Sequence, residues 1–278
     1  DIFFVISGFL MASLYKETNF KSFYIKRINR LLPSYYLTLI ITVILAFFFI
    51  DFTEFRETIK QVWFSLVFIS NIGFWYDNTY FNKDYFRPLL HLWSLAIEFQ
   101  FYIIVPILAL ILSKNKVYIY ILFAISLLFC FIATEISPKT SFFIIFFRVW
   151  EFLIGYLIAS NKLLKDLYKK KSLLLNISSC FLLVFLLCLT YFYSYISDLN
   201  VHASNYVIGH PGFAALMICF LTGVILIIGI PKFIQDSFIG AIFVKIGNYS
   251  YSIYLLHYPI IIIYLYKPFM GTITTFNK

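Results

Sequence analysis

The sequence predicts an all-α fold, a polytopic bundle of transmembrane helices, on three observations. Of its 278 residues 62% are apolar and only 13% charged, against about 45–50% and about 25% in soluble domains. Apolar runs recur along the whole chain, at Tyr35–Ile50, Val117–Ala133, Phe142–Ala159, Leu173–Tyr195, Phe213–Ile230 and Ile246–Tyr266; each approaches the ~20 residues that cross a ~30 Å hydrocarbon core as a helix. Alternating ten-residue strands, the mark of a membrane barrel, are absent from the sequence, which leaves helices as the structure that satisfies backbone groups in lipid.

The first apolar run is under way at Asp1, so the chain is expected to be a fragment of one membrane-embedded domain covering 1–278, cut at its N-terminus and at its C-terminus. Lys16, Lys21, Lys26, Arg27 and Arg30 follow that run, and Lys162, Lys165, Lys169, Lys170 and Lys171 fill a later loop. Short basic loops stay cytoplasmic, so both are placed inside, which requires an even number of crossings between them. The segments 33–50, 61–77, 93–112, 117–134 and 140–160 are five candidates. One must fail, and Asn71, Asp77, Asn78, Asn82, Lys83, Asp84 and Arg87 put the failure, a re-entrant or tilted segment, within 61–112. The count is then about eight full spans, with the loop Ser197–His210 outside. The net charge of +9 is divided among short loops and not gathered on a domain, which argues against nucleic acid as a partner. The four cysteines lie in apolar runs without a C-x-x-C pair, and no metal site is expected.

Polar residues in such runs demand a reason, because a carboxylate at the centre of a spanning helix costs ~2.5–3.5 kcal/mol. At helical spacing His91, Ser94, Glu98 and Tyr102 share one face, beside Trp93. Arg148 and Glu151 form an i,i+3 pair, and Ser250, Tyr254 and His257 make a third stripe. Three stripes predict a hydrated cavity in the bundle interior; their plainer role is interhelical hydrogen bonding and ion pairing. Arg27 and Arg30, on one face of the helix that precedes Pro33, are suited either to gripping phosphates or simply to fixing orientation.

Several of these segments are familiar together. DIFFVISGFL at 1–10, FYIKRINRLLP at 23–33, LLHLWSLAIEFQFY at 89–102 with Pro106 after it, FRVWEFLIGYL at 147–157 and IGNYSYSIYLLHYP at 246–259 resemble, in order, the motifs of the integral-membrane acyltransferase 3 family, which includes bacterial surface-polysaccharide O-acetylases. The resemblance implies transfer of an acyl group, commonly acetyl, from acyl coenzyme A, as co-substrate and with no permanently bound cofactor, to a carbohydrate hydroxyl. It places the protein in a bacterial inner membrane. It implies that Arg27 and Arg30 act near the donor and that Asp1, Glu98, Arg148 and Glu151 contribute to the catalytic core. The polar stripes and the basic loop add Tyr254 and His257 as catalytic candidates, Lys26 beside the donor, and His91, Trp93 and Ser94 as a supporting polar face. The resemblance also implies a span ahead of Asp1 that carries the family's expected catalytic histidine. A transporter or flippase using the same cavity is the alternative, without the internal symmetry transporters often show.

Overall fold

A computed structural model describes residues 1–15, 20–77, 86–115, 117–161 and 211–266, with isolated positions at 178, 181–185 and 188. The expected span Leu173–Tyr195, the basic loop 162–171 and the outer loop Ser197–His210 lie largely or wholly outside these residues. The described elements are helices: α1 (Ile2–Leu14), α2 (Phe20–Phe49), α3 (Phe52–Leu66), α4 (Ser70–Tyr76), α5 (Leu92–Lys114), α6 (Val117–Ile136), α7 (Pro138–Phe143), a 3-10 turn (Ile145–Phe147), α8 (Val149–Ser160), α9 (Phe213–Ile228), α10 (Lys232–Gln235) and α11 (Phe238–Leu265). They form two compact units, residues 1–18 with 101–243, and residues 19–100 with 244–278.

Among the described residues, three helices are long and apolar enough to cross a membrane, at Lys21–Phe49, Leu92–Ile111 and Val117–Ile136. Their outward faces carry Ile40, Ile44, Phe47, Ile121, Leu128 and Ile132, all exposed. Water would penalise such surfaces and lipid would not, so this is an integral membrane protein.

In the first unit α1 packs along α8 at backbone distance. A Cβ at Gly8 would collide with the Phe152 carbonyl, and one at Gly155 with the Val5 carbonyl. Small residues allow this close approach where no hydrophobic force drives helices together. Phe152 stacks between Phe4, at 4.6 Å, and Phe101, at 4.2 Å, and all three rings are buried.

The expected span 140–160 is not one helix. Helix α7 stops at Phe143 and the chain turns through Ile145–Phe147 before α8 begins. Twelve residues make α8 about 18 Å long, short of the hydrocarbon core. Ser126 of α6 fastens the break: its hydroxyl donates to the Phe146 carbonyl at 2.6 Å and accepts from the Trp150 N–H at 3.2 Å. That supplies one of the partners that helix ends lack.

In the second unit α2 runs unbroken through Pro33, where a helix ending before the proline was expected. The candidate 61–77 divides into α3 and α4 at Val67–Ile69. Three side chains hold the break. The hydroxyls of Tyr35 and Tyr36 donate to the carbonyls of Ser65 and Leu66 at 3.0 and 3.4 Å, satisfying the C-terminal end of α3. Phe68 has a φ of 56°, unusual for a bulky residue; the Gln100 amide donates to its carbonyl at 3.1 Å and to Asn71 Oδ1 at 2.9 Å.

Candidate active site

The first unit places Arg148 at the start of α8, where the 3-10 turn delivers it. Its guanidinium is fully buried. Nη1 donates to Asp1 Oδ1 at 2.8 Å and also to Glu151 Oε1, while Nε donates to the Phe142 carbonyl at 3.2 Å, a group left open by the end of α7. The cation lies over the rings of Phe4 and Phe142, 5.6 and 5.1 Å from their centroids. The i,i+3 pair expected from sequence is therefore one edge of a triad, completed by Asp1.

Two carboxylates on one guanidinium leave a surplus of one negative charge among the side chains. Glu151 is 0% exposed, and its second oxygen, Oε2, has no hydrogen-bond partner among the described residues. A half-satisfied buried carboxylate is rare and marks strain, an unplaced water or a catalytic role. The triad can orient and stabilise a cation or a hydrogen-bond donor brought to that oxygen.

The second unit gathers His91, Ser94, Tyr254 and His257. The Tyr254 hydroxyl donates to the His91 carbonyl at 2.7 Å and lies 2.6 Å from Ser94 Oγ. The His91 and His257 rings are 5.7 Å apart. His91 is buried, and its Nε2 lies 3.1 Å from the Leu255 carbonyl, a contact that only the Nε2–H tautomer satisfies. Nδ1 then carries the lone pair, and it has no hydrogen-bond partner among the described residues. His257 is exposed and its Nδ1 lies near the carbonyls of Ile253 and Tyr254, at 3.2 and 2.7 Å. Glu98 is buried, close enough to Tyr251 and Tyr254 to act on both electrostatically. Trp93 is half-buried.

The third stripe needs correction at one member. Ser250 is exposed and its hydroxyl turns back onto the Gly247 carbonyl at 2.7 Å, so it does not share the inward face of Tyr254. At this end of α11 every residue from 241 to 250 is exposed, and nothing there draws the serine inward. Lys26 and Arg30 are exposed on the first turns of α2, with Arg27 half-buried over the Phe23 ring at 5.9 Å.

Sequence reading missed three structural devices: the glycine pair at 8 and 155, the Gln100 clasp, and a cavity of about 710 Å³ beside α3 and α4 whose wall includes Glu54, Tyr76 and Arg87. Gly8 and Gly155 sit in the quoted motifs, so the signal was present without its meaning. Arg87 had been read as an interruption of hydrophobicity. It is buried and paired with Asp77 at 2.9 Å.

Comparison with known proteins adds to this geometry. The chain is 29% identical over 289 residues to the peptidoglycan O-acetyltransferase OatA of Listeria monocytogenes, covering 94% of this chain and 44% of that protein. It is 31% identical over 284 residues to a Staphylococcus aureus protein provisionally named an O-acetyltransferase, covering 94% and 45%. A Haemophilus influenzae protein of uncharacterized function is 29% identical over 253 residues, which cover 81% of this chain and 96% of the relative. The chain thus spans less than half the length of the two named relatives. No solved structure matches. The acyltransferase-domain model of the acyltransferase 3 family matches residues 1–272, and the chain belongs to that family.

Proposed function

We propose that this protein is a multi-pass membrane O-acyltransferase that moves an acetyl group from an acyl coenzyme A to a hydroxyl of a cell-surface carbohydrate. It would lie in a bacterial inner membrane with about eight crossings. The observation that carries the reading is Glu151, a fully buried carboxylate with one oxygen on Arg148 and the other unbonded among the described residues, in a family of acyltransferases.

A sugar hydroxyl attacks a thioester well only while a base removes its proton, and the carbonyl oxygen needs a donor as charge develops. The surplus charge of Asp1, Arg148 and Glu151 suits an imidazolium, the form a histidine takes when it accepts that proton, as Asp serves a hydrolase histidine. His91, in the Nε2–H tautomer, offers Nδ1 as a proton acceptor, and Tyr254 with Ser94 fixes the backbone that carries it. Lys26, Arg27 and Arg30 offer charge to the phosphates of the donor. His257 lies beside His91 with its ring 5.7 Å away, and Glu98 and Trp93 are assigned to the same polar face by their place on α5.

The test is transfer of radiolabelled acetyl from acetyl coenzyme A to extractable glycan, in membranes expressing the full-length reading frame. Wild type should label glycan, and Glu151→Gln and Glu98→Gln should not, at equal protein in the membrane. Arg27→Ala with Arg30→Ala should raise the donor concentration needed for half-maximal transfer while leaving the orientation unchanged. Equal labelling by Glu151→Gln removes the triad from the chemistry. No label with wild type overturns acetyl coenzyme A as donor.

A further inference from the structure

The cavity beside α3 and α4 lies wholly within the second unit and holds about 710 Å³, inside the ~300–1,000 Å³ range of small-molecule sites. Helix α2 has 30 residues and is about 45 Å long, with Arg27 and Arg30 on its early turns and Phe49 at its far end. Asp51 follows that end, fixed by a 2.8 Å bond from the Tyr266 hydroxyl. Thr53, Glu54 and Glu57, on the next turns, form one wall of the cavity. This wall of the cavity therefore lies by the end of α2 remote from the basic cluster, the end that the basic loop assigns to the non-cytoplasmic side.

Among the described residues five charged side chains line it, and four of them form two ion pairs. Lys60 binds Glu57 at 2.5 Å, and Arg87 binds Asp77 at 2.9 Å. The fifth, Glu54, has no ion-pair partner among the described residues. Among the described lining residues, three carboxylates (Glu54, Glu57, Asp77) stand against two cations (Lys60, Arg87). The remaining wall is rich in rings: Phe64, Phe74, Tyr76 and Phe86. Phe86 is held in place by an edge contact to Tyr266 at 5.1 Å.

This combination sorts ligands by chemistry. Rings present flat apolar surface to the C–H face of a pyranose. A carboxylate without a counter-ion accepts hydroxyl protons in charge-assisted hydrogen bonds. The Glu54 carboxylate repels a uronic acid or a phosphate. We propose that this cavity is the binding site for the carbohydrate acceptor, that it takes an uncharged sugar, and that Glu54 accepts the sugar's hydroxyl protons while Tyr76 stacks on its ring. The proposal rests on the acyltransferase reading above and deepens it.

Glu54 is half-buried and Tyr76 largely exposed, so Glu54→Gln and Tyr76→Ala should leave the fold intact, which a thermal melt of each variant checks. The experiment is saturation-transfer NMR on the purified full-length protein in detergent. The ligands are the methyl glycosides of glucose, galactose and N-acetylglucosamine, with methyl β-glucuronide as the anionic counterpart of the glucoside. At least one uncharged glycoside should bind, the glucuronide should bind more weakly than the glucoside, and each substitution should weaken binding, Glu54→Gln by about tenfold. Absence of binding by every uncharged glycoside, tighter binding of the glucuronide, or unchanged affinity in Glu54→Gln would overturn the proposal. Glycoside binding without acetyl transfer would sink the enzymatic reading alone; acetyl transfer with no dependence on Glu54 would sink this one alone.

Discussion

Arg148 Nη1 lies 2.8 Å from Asp1 Oδ1 across 147 positions of sequence, and the same nitrogen binds Glu151 one turn along α8. Removing one partner of a buried ion pair costs about 3–5 kcal/mol, because the other charge is left uncompensated. Arg148→Ala strands two carboxylates and should lower both the melting temperature in detergent and the amount of protein in the membrane. Glu151→Gln keeps the volume and relieves the surplus charge, so it should melt near wild type while acetyl transfer falls by about 10²-fold or more. Equal loss of stability in the two variants would make the triad a structural lock.

The approach of α1 to α8 requires a hydrogen at Gly155, since a side chain would strike the Val5 carbonyl and the Phe9 N–H. Overpacking costs about 1–3 kcal/mol where neighbours can adjust, and backbone cannot adjust as a side chain does. Gly155→Val should therefore melt well below wild type and lose acetyl transfer, through displacement of Asp1 from Arg148. Gly247→Val is the control: nothing lies within 4 Å of a Cβ there, and its melt should match wild type.

Gln100 ties the α3–α4 break shut by donating to Phe68 and Asn71. Gln100→Leu leaves the Phe68 carbonyl and the Asn71 side chain short of a partner each, at about 1–3 kcal/mol. The variant should show faster hydrogen exchange at residues 67–71 than at α5. Unchanged exchange would mean that Tyr35 and Tyr36 hold the break unaided.

Glu54 provides the pH test. Burial, then Glu57 and Asp51, raise its carboxyl above the ordinary value of 4.5. The folded state then binds a proton more readily than the unfolded state, so the ionised group destabilises the fold, and stability falls as pH rises from 4.5 through the raised value. Glu54→Gln should melt higher than wild type at neutral pH, and the gap should close as pH drops below 4.5. Loss of sugar binding with a gain in stability would mark a residue kept for function. A gap independent of pH would refute the ionic explanation.

Composition alone was enough to place this protein among helical membrane proteins and to single out polar side chains in apolar runs. Apolar content answers only to solvent, so a run such as Val117–Ala133 foretold α6. The i,i+3 spacing of Arg148 and Glu151 likewise foretold a contact that the structure contains. Hydropathy is blind to backbone direction, however, and Phe142–Ala159 looked continuous although a 3-10 turn divides it. Ser126, from another helix, fastens that turn through the Phe146 carbonyl and the Trp150 N–H. Tertiary structure also decided which groups meet: Asp1 with Arg148, Tyr254 with His91, Gln100 with Phe68, and the walls around Glu54. Periodicity assigns a residue to a face, whereas its partner is set by the packing of a helix distant in sequence, here by two glycines that let α1 and α8 touch.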